Sequence, residues 1–87
     1  MNQTQTTTKA FEEAETRLQR TQRALDIAKH LHNTGFGIYQ IDDRYVRAYL
    51  SRHRLYTYEV ELALTDDLNS LVTIKQEPTS VLLIIAQ

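Results

Sequence analysis

Residues 9–32 hold neither Gly nor Pro, and Ala, Leu, Glu, Gln, Arg and Lys dominate the stretch. One unbroken helix is the reading, and at 24 residues it would be about 36 Å long. That length constrains the rest of the chain more than any other feature. Phe11, Ala14, Leu18, Thr21, Leu25, Ala28 and His32 recur at spacings of three and four and so share a face. Ala24, Ile27 and Leu31 widen the stripe toward the C-terminal end. Thr8 is the expected N-cap and Gly35 the expected left-handed stop. Residues 1–8, six of them Thr or Gln, read as a disordered arm ahead of a single domain over 9–87.

After Gly35 the apolar period changes from helical to two. Residues 36–41 read as a strand and Asp42-Asp43 as a tight turn. Residues 44–50 follow as a strand with Val46, Ala48 and Leu50 on one face and Tyr45, Arg47 and Tyr49 on the other. A helix capped by Asp42 or Asp43 also fits residues 42–53, and the Tyr and Val content favours the strand. Residues 54–64 alternate most clearly, which predicts a strand burying Val60, Leu62 and Leu64. One helical turn fits after Asp66, a strand fits 71–76, and Glu77-Pro78-Thr79 reads as a turn. Residues 81–85 are Val-Leu-Leu-Ile-Ile, apolar on both faces, so both faces call for cover. The fold class expected is α+β: one long N-terminal helix packed on a mostly antiparallel sheet of four to five strands, in two layers. Leu18, Leu25, Ala28, Leu31, Ile38, Val60, Leu62, Leu82 and Ile84 form the expected core, with Leu83 on the opposite sheet face.

Ile, Leu, Val and Phe make up 23 of the 87 residues, enough for a core but a thin one. The formal net charge is −1, which argues against a polybasic coat. The absence of Cys excludes a disulfide scaffold, a thiolate zinc site and a Cys nucleophile. The longest apolar run is six residues, too short for a membrane helix, and the first eight residues contain no apolar signal core. A cytoplasmic protein with no membrane partner is the expectation.

Charge is nevertheless segregated. Residues 34–55 carry net +2 and residues 56–87 net −4. Within the basic part, Arg44, Tyr45, Arg47, Tyr49, Arg52 and Arg54 interleave guanidinium groups with aromatic rings, the residue types that grip phosphates and stack on unpaired bases. The same residues equally fit the solvated face of a strand whose Arg side chains pair with Glu59, Glu61 or Asp67.

Other constellations lack the required spacing. His30 and His32 would point their rings roughly 200° apart on a helix. Asp42-Asp43 and Asp66-Asp67 are turn-forming pairs. Gly35-Phe36-Gly37 follows a helix instead of opening one, unlike a phosphate loop. Ser51, His53 and Asp43 carry no triad spacing. No catalytic, metal or cofactor residue is assigned. The function expected is a small non-enzymatic protein-interaction or regulatory module, homodimeric or bound to another protein. The alternative is a nucleic-acid-binding module using residues 44–54.

Overall fold

The computed structural model describes residues 2–50 and 57–86, with side chains from residue 7 onward. Helix α1 spans Asn2–Asn33. It ends where the sequence places the stop. Gly35 adopts φ +104°, the Gly35 N–H donates to the His32 carbonyl at 3.1 Å, and the Phe36 N–H donates to the Leu31 carbonyl at 3.0 Å. This paired closure satisfies the last helical carbonyls. It also drops Phe36 into the same core as Leu31. The other end differs from the sequence reading. The helix continues through residues 2–8, so Thr8 lies inside it and is not its N-cap.

Strands β1 (Gly37–Ile41), β2 (Tyr45–Tyr49), β3 (Val72–Gln76) and β4 (Val81–Ile85) form one antiparallel sheet in the order β1-β2-β4-β3. Two hairpins thus meet along β2 and β4. The β1–β2 turn closes with the Asp42 N–H donating to the Tyr45 carbonyl at 2.9 Å. Val46, Ala48, Val81, Leu83 and Ile85 point inward, where Ala24, Ile27, Ala28 and Leu31 of α1 cover them. The expected α+β class, a long helix on an antiparallel sheet, is the architecture observed, and 45–49 is a strand.

Three sequence expectations are corrected. Residues 57–63 form helix α2 (Thr57–Ala63), not a strand. Residues 54–56 lie outside the described residues. Val60 and Leu64, four apart, enter the core from this segment, while Leu62 is 71% exposed. The same residues satisfy both periods. The helix prevails because Glu59, Glu61, Leu62 and Ala63 are good helix formers, and because β2 already pairs with β4, leaving the segment to connect to an edge strand. Second, the last strand is phased opposite to expectation: Leu83 is buried, Leu82 half-buried and Ile84 exposed. Pairing decides this. Val46 faces Leu83 and Ala48 faces Val81, and cross-strand partners share a sheet face. Third, Leu18 is exposed, and Leu25 and Ile38 are only half-buried. The sheet supports only the C-terminal half of α1.

The connection between α2 and β3 contains the expected single turn, α3 (Asp66–Asn69), capped by the Thr65 hydroxyl, which accepts the Leu68 N–H.

Candidate interaction surface

The outer face of the sheet has no second layer of described residues. β2 places Tyr45, Arg47 and Tyr49 there, as alternation requires. The register adds Ile84 opposite Tyr45 and Leu82 opposite Arg47 from β4, and Thr73 and Lys75 from β3. On the other side the β1–β2 register shifts between Ile38 and Gln40, leaving Tyr39 as the extra residue. This bulge keeps Gln40 opposite Arg47. Tyr39, Arg47, Tyr49, Thr79 and Ser80 line an open depression of about 470 Å³. Tyr39 is 70% exposed on its rim.

The Tyr49 ring lies across Gly37. A Cβ at Gly37 would come within 2.7 Å of Tyr49 Cε1 and Cε2. Glycine here is a matter of close approach, an aromatic ring covering bare backbone on an edge strand.

Arg47 organises the centre. Its Nε donates to Glu77 Oε1 at 2.9 Å, and its Nη1 donates to Gln40 Oε1 at 2.9 Å. The guanidinium carbon sits 5.6 Å from the Tyr45 ring centroid. Ser80 Oγ donates to the same Glu77 oxygen at 3.3 Å. The hydrogen bond to Glu77 raises the Arg47 pKa, and the reciprocal bond holds Glu77 below the usual carboxylate range against partial desolvation. The face therefore carries the paired Arg47 and Glu77 among aromatic, aliphatic and neutral polar side chains, with Lys75 of β3 as a further exposed cation.

Among the residues singled out in the sequence, Tyr45, Arg47 and Tyr49 come together on this face. Arg44 does not. It sits exposed in the β1–β2 turn, where its N–H donates to Asp42 Oδ1 at 3.2 Å. Arg44 and Asp43 line a cleft of about 430 Å³ with Lys9, Glu12, Glu13, Thr16, Arg17 and Arg20 of α1. Hydrogen bonds from the Asp43 side chain and from the Arg44 backbone lower the Asp42 pKa. Arg52 and Arg54 lie outside the described residues. The acid that pairs with Arg47 is Glu77, not Glu59, Glu61 or Asp67. Tyr39, Leu82, Ile84 and Glu77 belong to the face and were not singled out. Alternation from Gly37 would have found Tyr39, whereas Glu77 lies thirty residues from Arg47 and carries no local signal. Helix-end His30 and His32 are both exposed, and no cluster of metal-ligating side chains occurs among the described residues. No described helix is long and apolar enough to cross a membrane.

No protein-family model, curated protein or solved structure matches this chain.

Proposed function

We propose that this protein is a small non-enzymatic interaction or regulatory module of the cytoplasm that self-associates and offers its open sheet face to a protein partner. The observation that carries the reading is the composition of that face. Tyr39, Tyr49 and Ile84 are exposed around a paired Arg47–Glu77 couple. Aromatic residues and Arg are enriched in protein interfaces, and unpaired charge is depleted from their centres. A guanidinium already matched by a carboxylate costs less to cover on docking than a bare charge would, because its partner offsets part of the desolvation penalty.

Nucleic acid is the second reading, favoured by Tyr45, Arg47 and Tyr49 on one face of β2 with Tyr39 of β1 beside them. Against it, the Arg47 hydrogen-bonding edge is occupied by Glu77 and Gln40. Fluorescence anisotropy with a labelled single-stranded oligonucleotide, titrated with salt, separates the two. The protein reading expects no binding at low salt. Binding that weakens steeply with salt and is lost in Arg47→Ala would replace it. Sedimentation equilibrium tests self-association: the expected species is about 20 kDa, twice the 10.1 kDa chain.

A further inference from the structure

We propose that two copies pair antiparallel along the projecting half of α1, with Phe11 and Leu18 of each copy set against Thr21 and Ala14 of the other. The inference rests on the self-association proposed above and names the surface that performs it.

Every described side chain from residue 7 to 19 is exposed, including Phe11 and Leu18 at 64% and 70%. A helical segment standing in water gains little from its own hydrogen bonds, and most helices are held by packing. Two threonines weaken this one further. The Thr16 and Thr21 hydroxyls donate to the carbonyls of Glu12 and Arg17, each at 2.9 Å, competing with the helical ladder. The projecting half therefore calls for an occupant.

The position of the apolar residues says which kind. At 3.6 residues per turn, Phe11, Ala14, Leu18, Thr21 and Leu25 form a strip about a third of a turn away from the Ala24–Ile27–Ala28–Leu31 face. The seam is thus not an extension of the core face. Continuing the core face toward the N-terminus gives Lys9, Glu13, Arg17 and Arg20, the polar wall of the cleft beside Asp43 and Arg44. A second sheet sliding under the helix would meet that charged wall. A helix lying alongside would meet the seam.

The seam is narrow and alternates large with small: Phe11, Ala14, Leu18, Thr21, Leu25. It fits a copy of itself running the other way. In antiparallel pairing, seam positions of one kind face those of the other, so Phe11 meets Thr21 and Leu18 meets Ala14 in each direction. Every layer then has one large and one small side chain, which fills space evenly. Parallel pairing would stack Phe on Phe and Ala on Ala, leaving voids at the small layers. The antiparallel arrangement also carries the two sheets to opposite ends, clear of each other.

The test uses the full chain. Sedimentation equilibrium should give a dimer for wild type and for Ile84→Lys, and a monomer for Leu18→Glu and Phe11→Glu, with the native amide dispersion of the sheet residues kept in every variant. Because the chain contains no Cys, Lys29→Cys accepts a single spin label. Its mate should lie about 39 Å away along the axis in the antiparallel pair, against less than about 20 Å in a parallel one. A dimer that survives both helix variants but is lost in Ile84→Lys overturns the helix pairing and leaves self-association standing through the sheet. The short label distance overturns the orientation. A wild-type monomer at every concentration overturns both this inference and the self-association beneath it.

Discussion

At the scale of single residues, one backbone conformation and one ion pair are defined closely enough to test. Gly35 holds φ +104° with nothing within 4 Å of where a Cβ would stand, so its substitution is a backbone question alone. Gly35→Ala should cost about 1–2 kcal/mol in urea denaturation. A loss below about 0.5 kcal/mol would mean that the turn relaxes into a right-handed stop. This position was legible in the sequence, because a Gly after a long periodic run is a local signal. The Arg47–Glu77 pair was not, since it joins residues thirty apart through a tertiary turn. Glu77 is held below its ordinary value of 4.5, chiefly by the Arg47 hydrogen bond. A carboxylate depressed in the folded state contributes stability above its unfolded pKa and loses it as pH falls through the folded value. The Arg47 proton, raised from an already high value, stays on throughout. The urea midpoint of wild type should therefore fall more steeply than that of Glu77→Gln as the pH drops below the ordinary value of 4.5. Both side chains are partly exposed, so the difference should shrink in high salt. Identical pH profiles for the two proteins would remove the pair from the stability of this face.

At the scale of elements, the two misread segments fail for one reason: periodicity is informative only where a single period fits. Residues 57–64 satisfy two. Val60, Leu62 and Leu64 alternate, while Val60 and Leu64 alone recur at a helical spacing. The choice between them depends on which neighbour strand β2 takes, and that is a tertiary matter. β4 satisfies no single phase, being apolar on both faces, so its orientation comes entirely from its register with β2. The sequence reading phased β2 correctly, because there the polar face is marked by Tyr45, Arg47 and Tyr49. The structure makes a sharp discrimination in β4. Leu83 is fully buried between Val46 and Ile74, and Leu83→Ala should cost about 2–5 kcal/mol. Its neighbour Ile84 is 39% exposed, and Ile84→Ala should cost less than about 1.5 kcal/mol at dilute concentration. Denaturation curves giving the reverse order would restore the opposite phase and bring Leu82 and Ile84 into the core.

At the scale of the whole molecule, helix and sheet are mismatched in length. A 32-residue helix is about 48 Å long, and five-residue strands run about 17 Å. The extents of 57 × 24 × 18 Å and a radius of gyration of 15.6 Å, against about 12 Å for a compact 87-residue globule, follow from that difference. The sequence predicts the helix but not where its cover ends, because a stripe of spaced apolar residues does not say how many of them a small sheet can reach. One helix is thus divided between two environments, and its amides should divide with it. Around Ala24 to Leu31 the backbone is locked under the core, and exchange there should require global unfolding. From residue 7 to 19 no sheet lies beneath, and local opening should suffice in dilute solution. Raising the protein concentration should then slow exchange between Phe11 and Thr21, whose local opening requires the partner to leave. It should slow residues 24–31 as well by the association free energy, since a partner that binds only the folded chain stabilises it against global unfolding. Hydrogen exchange read residue by residue by NMR at two concentrations makes the comparison. Protection that is uniform along the helix and independent of concentration would show that the projecting half is stabilised from within its own chain.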